Sequence, residues 1–404
     1  MERSSKHRGD VRLTEVRTVL LTGPCTDDPW LSVFKQSRSA AFIELVTDTG
    51  ETGLGETYAG YFFPESVPLV VDYLRPILLH AEPFEPDTLD VRALVARMRT
   101  CFQFWGRVGL GAAVLAGIEA ALWDLAGKLL QLPVHRLLAA TAPAALPAYA
   151  TGGPSPWPLD DLLRKVEFYR SLGFSAVKLS SGYLDSATRA ELSFAADAEV
   201  SKLAALRASF GPDLGILLDG HMGHREGEAR WDVSTARGVM DALAPYGLVF
   251  FEEPLPYDDL AGYAELCGGP VPIAGGEQLT SVAEFTGFTF DVAQPDAAWL
   301  GIDAFVRVAA QFPRVAPHAW SAGIGVMQNV HAAFACPNTL IVELPPAAGP
   351  LHTEVWTLEV RDGVVQRPDA PGLGVHLPQS VRDRYPFRPG AEEFSSVPGK
   401  LMRS

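Results

Sequence analysis

The segment LGILLD (residues 214–219) is a short apolar run that ends on a carboxylate. Five later segments repeat this pattern and end on Glu, Asp or His: LVFFE (248–252), VPIAGGE (271–277), DVAQPD (291–296), VAPH (315–318) and TLIVE (339–343). A buried strand excludes an ionised side chain from its middle, but its carboxyl end opens into a loop. Because the runs recur at roughly 20 to 35 residues, about a strand plus a helix, they predict a (β/α) barrel whose strand ends share one face.

Two further apolar segments, LPAYATGG (146–153) and FSAVKLSSG (174–182), bring the predicted strands to eight. Helical segments lie between them, including one predicted from Thr188 to Phe210. After the eighth strand the last helix is missing, and a tail rich in Pro and Gly with short strands follows. The pattern predicts an α/β fold, a modified (β/α)7β TIM-type barrel over residues 143–345.

The first part of the chain has a different pattern. Residues 11–58 alternate like antiparallel strands, and three helical segments follow, the last of them apolar nearly all round. We expect residues 1–142 to form an α+β capping domain. The C-terminal segment, residues 346–404, is expected to pack back on it.

Composition narrows the possible partners. The chain has 404 residues and a net charge of −15, which argues against nucleic acid or an anionic membrane as partner. The N-terminal sequence MERSSKHRGD leads into no apolar segment, and no run of 18 apolar residues occurs. We therefore expect a cytoplasmic protein with a small-molecule substrate. The four cysteines lie far apart, as is typical of free thiols.

Three carboxylates end successive predicted strands: Asp219, Glu252 and Glu277. Carboxylates this close together do not all stay ionised without a cation, since like charges raise each other's pKa. Oxygen ligands suit Mg²⁺, so the sequence predicts a magnesium site. The alternative is that each acid is a helix cap or a loop carboxylate.

Asp296 and His318 end the next two strands. A carboxylate bonded to one imidazole nitrogen fixes the tautomer and raises the basicity of the other nitrogen. The pair therefore predicts a general base, against the alternative of a surface histidine with ordinary hydrogen bonds.

Lys178 and Ser180 lie two apart on the second strand, so both should point inward. Lys178 is expected to contact a substrate carboxylate or the metal-site acids; a Schiff-base lysine is the alternative. His221 follows Asp219 with the same alternation and could act as a general acid, or else be a loop histidine. Glu343 could bond a substrate oxygen if it is kept protonated.

Two weaker candidates, His224 and Arg225, lie further along the loop after the third strand. They are expected to contribute only minor substrate contacts.

The motifs AVKLSSG, LLDGH, FFEEP, AGGEQ, QPD, PHAW and IVEL together resemble the mandelate racemase-like branch of the enolase superfamily. The resemblance implies magnesium ligands at Asp219, Glu252 and Glu277, with Asp296 and His318 as the base pair. It places the strand-eight acid, Glu343, against the developing enediolate. Substrate binding is expected from four residues in these motifs: Lys178, Ser180, Trp320 and Glu343.

One departure from the family pattern bears on the reaction. Racemases of this branch have a second strand-two lysine, where this chain has Ser180, while Asp219-Gly220-His221 resembles the Asp-x-His of sugar-acid dehydratases. The resemblance thus favours a Mg²⁺-dependent sugar-acid dehydratase that yields a 2-keto-3-deoxy acid, with His318 as base and His221 as acid. It also suggests a homo-oligomer, a dimer or an octamer.

Three other functions stay open from the sequence. An epimerase or cycloisomerase could use the same enolate, with His221 as the second proton carrier. A lysine-dependent aldolase would use Lys178. A catalytically silent binding protein would keep the sugar acid and lose the chemistry.

Overall fold

The computed structural model of the protein describes residues 10–25, 37–152, 159–184, 191–192, 196–225, 227, 230–346, 348–356 and 358–390. The N-terminal part begins with an antiparallel sheet in the order β1-β2-β3. Its strands are β1 (Leu13–Pro24), β2 (Ser37–Thr47) and β3 (Thr52–Thr57). The turn between β2 and β3 contains Gly50 at φ 86°, a conformation that glycine adopts readily.

The helices of the N-terminal part follow the sheet in the chain. They are α1 (Ala59–Phe62), α2 (Val67–Leu79), α3 (Val91–Phe102), α4 (Leu110–Leu130) and α5 (Val134–Leu138). Helix α4 lies so close to β3 that a Cβ added at Gly55 would come within 2.1 Å of the Gly117 carbonyl oxygen. Helix α4 is long and apolar enough to cross a membrane, but 94% of its apolar 18-residue segment is buried inside the protein. It is therefore a core helix.

The second part is a parallel barrel. Its strands are β4 (Ala145–Thr151), β5 (Ala176–Ser180), β8 (Gly215–Asp219), β9 (Phe251–Glu252), β10 (Ile273–Gly275), β11 (Val292–Ala293) and β12 (Val342–Leu344). Strands β4, β5, β8, β9, β10 and β11 pair in that order, and β12 pairs with the other edge of β4. A small antiparallel pair, β6 (Tyr183–Leu184) and β7 (Glu191–Leu192), follows β5.

The seventh predicted strand is reduced to a single residue, Val315. It bridges Ala293 in β11 and Thr339 ahead of β12, and so closes the barrel. Pro313 and Pro317 flank it, and proline has no backbone N–H to donate to a ladder. The expected eight-stranded ring therefore forms, but without a regular seventh strand.

The helices of the barrel lie between its strands. They are α6 (Leu159–Ser171), α7 (Ala196–Phe210), α8 (Val233–Leu243), α9 (Leu260–Leu266), α10 (Val282–Phe285), α11 (Ala297–Leu300), α12 (Ile302–Ala309) and α13 (Gly323–Ala335). The helix predicted from Thr188 is wrong at its start, because α7 begins at Ala196 and Glu191–Leu192 lies in a strand. Pairing with β6 there overrides the helix propensity of the sequence.

The tail contacts both parts of the protein. Its elements are α14 (Pro350–Thr353), β13 (Val360–Arg361), β14 (Val364–Gln366) and α15 (Gln379–Arg384). Strand β14 pairs with barrel strand β4, whereas the Leu373 N–H donates to Asp124 in α4 at 2.7 Å. The domain boundaries at residues 142 and 345 stay predictions.

An apolar layer inside the barrel supports the site. It consists of Tyr149, Ala176, Leu217, Phe250, Ala274, Val292, Ala316 and Ile341, one from each strand position. Because side chains alternate along a strand, the next inward residue is two positions further on. At five of these positions that residue is ionisable, namely Lys178, Asp219, Glu252, His318 and Glu343, and at two more it is polar, Thr151 and Gln294.

Candidate active site

Lys178 lies at the centre of a cluster of carboxylates. Its Nζ is 2.7 Å from Oε2 of Glu252, 3.0 Å from Oε1 of Glu343 and 3.4 Å from Oδ2 of Asp219. All four side chains are buried. The barrel brings them together because Asp219 pairs directly with Ser180 of β5 on one side and with Glu252 of β9 on the other.

The cluster keeps Lys178 charged. Burial lowers the pKa of the ammonium, but the charges of Glu252 and Glu343 outweigh it, so the net pKa lies well above the usual value. A Schiff base requires a neutral amine. The ion pairs of Lys178 with Glu252 and Glu343 thus favour the ammonium over the neutral amine that aldolase chemistry needs.

The donor atoms near Asp219 fit a divalent cation. Burial raises the pKa of Glu277 well above its usual value, and the charges of Glu253, Glu252 and Asp219 raise it further. Oε1 of Glu252 is buried without a hydrogen-bond partner among the described residues. A cation would bind such an oxygen and offset the repulsion among the carboxylates. Carboxylate oxygens are the ligands that Mg²⁺ prefers, and the assignment of Asp219, Glu252 and Glu277 as its ligands stays a prediction.

His221 approaches the same carboxylates. Ligand atoms of Asp219, His221 and Glu277 lie within 4.8 Å of one another. His221 Nε2 is 3.3 Å from Oδ2 of Asp219 and 3.9 Å from Oε1 of Glu277. Its backbone has φ 48°, in the left-handed region, and its N–H donates to Oδ1 of Asp219 at 3.2 Å. The imidazole thus lies at the mouth of the barrel, as its spacing predicted. The side chain is 34% exposed.

His318 and Asp296 form the predicted pair. His318 Nδ1 is 2.8 Å from Oδ2 of Asp296, and both side chains are buried. The other oxygen of Asp296 accepts hydrogen bonds from the Ala298 N–H at 2.7 Å and the Asn329 amide at 2.8 Å. Since an ionised carboxylate only accepts, Nδ1 carries the hydrogen and Nε2 is left to take a proton.

The surroundings strengthen this base. Burial lowers the pKa of His318, but the hydrogen bond to Asp296 and the charges of Glu343 and Asp296 outweigh burial, so the net pKa is raised. Nε2 lies 3.6 Å from Oε2 of Glu277. The basic nitrogen therefore faces the carboxylate cluster.

Glu343 differs from the expectation of a protonated acid. Burial raises its pKa, but the charges of Lys178 and His318 and a hydrogen bond from the Ala319 N–H outweigh burial, so the net pKa is lowered. That N–H lies 2.7 Å from Oε2. Glu343 is also the middle residue of β12 rather than its end. It is therefore ionised and accepts hydrogen bonds.

Aromatic side chains stand beside the base. This aromatic wall consists of Tyr58, Tyr61 and Phe62 from the capping part and Trp299 and Trp320 from the barrel. The Tyr58 ring lies 5.4 Å from the His318 ring, and the Tyr58 N–H donates to the Ala298 carbonyl at 2.9 Å. The sequence predicts that two capping segments, residues 27–38 and 58–63, close over the distal hydroxyls of the substrate. Tyr58, Tyr61 and Phe62 of the second segment lie at the site, whereas only Ser37 and Arg38 of the first belong to the described residues.

The remaining predicted substrate contacts are placed as follows. Ser180 is buried, and its carbonyl accepts a hydrogen bond from Lys202 Nζ at 3.1 Å. Trp320 belongs to the aromatic wall. Arg225 is partly exposed in the loop after β8, and the His224 side chain lies outside the described residues.

Two residues at the site escaped the sequence reasoning. Thr151 bonds Glu343 from the end of β4, and the strand-end rule could have found it. Asn329 comes from α13, and no spacing in the sequence links it to Asp296. Glu253, the second acid of FFEEP, is buried and receives hydrogen bonds from Gln278.

Comparison with known proteins agrees with this architecture. Residues 29–139 match the mandelate racemase / muconate lactonizing enzyme N-terminal domain, and residues 161–381 match the enolase C-terminal domain-like family. The chain is 27% identical over 392 residues to a D-galactarolactone cycloisomerase of Agrobacterium fabrum. The alignment covers 91% of this chain and 97% of that relative.

Two further relatives are dehydratases. An L-talarate/galactarate dehydratase of Salmonella typhimurium is 28% identical over 349 residues, with 84% of this chain and 80% of the relative covered. The crystal structure of an L-talarate dehydratase from Polaromonas sp. JS666, complexed with Mg and L-glucarate, superposes with a TM-score of 0.76. It is 25% identical and covers 93% of this chain and 98% of its own. The chain therefore belongs to the mandelate racemase/muconate lactonizing enzyme branch of the enolase superfamily, as the strand-end motifs predicted.

Proposed function

We propose that the protein removes the proton α to the carboxylate of a sugar acid and then eliminates water, which yields a 2-keto-3-deoxy acid. The observation that carries this proposal is the Asp296–His318 pair, whose basic Nε2 faces the carboxylate cluster. The dehydratases among the relatives support the substrate class.

Asp219, Glu252 and Glu277 would hold Mg²⁺. When bound, the ion would supply positive charge that stabilises the carboxylate of the substrate as its α-carbon loses a proton. Lys178 adds a second, permanent positive charge beside Glu252. Both charges lower the free energy of the enediolate, since it carries one more negative charge than the substrate.

Proton transfers fall to the two histidines. His318 takes the C2 proton at Nε2, and Asp296 stabilises the resulting imidazolium. His221 protonates the departing C3 hydroxyl from Nε2. Because Glu343 is ionised, it positions Lys178 and the segment after His318 instead of donating a hydrogen bond to the enediolate.

A second candidate is a cycloisomerase or epimerase that uses the same enolate. Its support is the D-galactarolactone cycloisomerase among the relatives. Ser180 argues against a two-base racemase, since it stands where the second base would lie and a serine hydroxyl is too weak a base to remove an α-proton. A homo-oligomer and a cytoplasmic location stay predictions.

The test is a screen of monocarboxylic and dicarboxylic sugar acids with Mg²⁺ in deuterated water. A 2-keto product supports dehydration, whereas C2 exchange or ring opening without loss of water supports the second candidate. His318→Asn should abolish both signals, and His80→Asn, at an exposed position, is the matched control. Binding without exchange or product, unchanged in His318→Asn, would favour a silent binding protein.

A further inference from the structure

We propose that the aromatic wall selects a monocarboxylic sugar acid whose carbons beyond C3 present C–H groups, as in a terminally deoxygenated sugar acid. This inference rests on the proposed function, because it concerns the distal half of the same substrate. It excludes open-chain dicarboxylic sugar acids as the preferred substrates.

The wall belongs to the pocket of the proposed base. Tyr58 lies 5.4 Å from the His318 ring, centroid to centroid, and stacks on Tyr61 at 5.2 Å. Trp299 meets Tyr58 edge-on at 5.8 Å. In this proposal, the carbons beyond C2 of a substrate whose C2 proton reaches His318 lie against these rings.

The rings are already fixed to one another and to the barrel. Trp320 donates its indole N–H to the Tyr61 hydroxyl at 3.2 Å, and Trp299 donates its own to the Gln278 carbonyl at 3.1 Å. Phe62 packs edge-on against Tyr61 at 5.0 Å. With both indole N–H groups engaged, the indoles and Phe62 offer ring surface to a ligand.

Three of these side chains are partly exposed and can contact a substrate: Phe62, Trp299 and Trp320. Ring faces bind C–H groups well. A hydroxyl placed against them loses its water and gains no partner, which weakens binding roughly five- to 150-fold. The wall thus favours a substrate with fewer distal hydroxyls.

Charge acts in the same direction for a second carboxylate. Arg38 stacks on Trp320 at 4.9 Å and on Tyr61 at 5.5 Å, but it is buried at 2% exposure and donates to the Ser321 carbonyl at 2.8 Å. Its guanidinium is therefore not accessible to a ligand. Neither the wall nor Arg38 thus offers an accessible cation to a second carboxylate.

The test uses two matched series of acids with the Mg²⁺-loaded protein. One series is D-galactonate, its 6-deoxy form D-fuconate and galactarate; the other is D-gluconate, 6-deoxy-D-gluconate and D-glucarate. We expect kcat/KM for the 6-deoxy acid to exceed that for the dicarboxylic acid at least tenfold within a series that reacts. Calorimetric dissociation constants for the same six acids should follow the same order.

The two proposals fail separately. A 2-keto product formed from the dicarboxylic acid with an equal or higher kcat/KM would overturn the role of the wall and leave the dehydration intact. The expected order in binding, without product or exchange, would refute the dehydration and leave the wall's selectivity standing. Binding of all six acids with equal affinity would overturn the selectivity whatever the kinetics.

Variants at neighbouring positions locate the effect. Phe62→Asn should reduce the preference for the 6-deoxy acid at least fivefold, since it adds a polar group to the wall. Phe62→Leu should keep the preference and shows whether the position tolerates change. Phe63→Asn is the matched control, because Phe63 is 56% exposed and lies outside the wall. An unchanged preference in Phe62→Asn, with a folded protein by circular dichroism, would contradict the proposal.

Discussion

The Nε2 atom of His318 lies 3.6 Å from one carboxylate oxygen of Glu277. His221 Nε2 approaches the other oxygen of the same carboxylate at 3.9 Å. A base and an acid candidate thus converge on one predicted metal ligand, from two strands that are far apart in the sequence.

Asp296→Asn should slow C2 exchange roughly 100- to 10,000-fold. An amide that turns its NH₂ toward Nδ1 favours the tautomer with hydrogen on Nε2, which leaves no base. Asp296 also raises the pKa of His318, and the exchanging form is the neutral imidazole. The rising limb of the pH–rate profile should therefore move to lower pH in the variant.

NMR of the C2 proton in deuterated water, measured as a function of pH, checks both statements. Asp258→Asn, at an exposed surface acid, serves as control. A wild-type rate in Asp296→Asn would rule out the pair as the base.

His221→Asn should keep C2 exchange and lose dehydration at least 100-fold, because exchange needs only His318 whereas elimination needs an acid at C3. Parallel assays of deuterium incorporation and of 2-keto product separate the two steps. Undiminished dehydration without His221 would remove it from the mechanism.

Mg²⁺ should stabilise the folded protein. At 100 times its dissociation constant, an ion that binds only the folded state adds about 2.7 kcal/mol to the free energy of unfolding. Thermal unfolding with Mg²⁺ and with EDTA measures this difference in melting temperature.

Glu277→Gln should abolish most of the Mg²⁺ dependence and should raise the melting temperature in EDTA, since it removes one of the crowded carboxylates. Glu265→Gln, 61% exposed, is the matched control. A full Mg²⁺ response in Glu277→Gln would argue against Glu277 as a ligand.

His331 should make the protein sensitive to acid. Burial, with a smaller effect of His135, lowers its pKa from 6.5 to about 3. Between these values the unfolded chain binds a proton that the folded protein does not. Stability is therefore complete above pH 6.5 and falls on acidification toward pH 3, by about 1.4 kcal/mol per pH unit from this group.

His331→Asn should reduce the slope of stability against pH by the contribution of one proton. The Asn oxygen would still accept the hydrogen bond that the His135 backbone N–H now donates to His331 Nδ1 at 3.2 Å. Urea unfolding at several pH values measures the slope. His376→Asn, at an exposed position, is the control. An unaltered slope in His331→Asn would contradict the prediction.

Several site residues were predictable because each ends its own apolar run at an inward position. Asp219, Glu252 and His318 come two residues after inward apolar residues, so they also point inward. Because the strand ends of a barrel share one face, the barrel alone predicts that these side chains lie close together. The state of Glu343 was not predictable in this way. Its ionisation depends on Lys178 and His318, which come from two other strands, and their distances exist only in the folded barrel.

Local patterns in the amino-acid sequence determined the barrel, the capping part and the polar residues at the strand ends, since burial and alternation act over a few residues. Only the tertiary structure decided which carboxylate oxygens Lys178 contacts and that Asn329 donates a hydrogen bond to Asp296. It also decided that aromatic rings of the capping part lie beside His318. Those contacts join residues 33 to 260 positions apart, and their geometry depends on how whole elements pack, which no local pattern encodes.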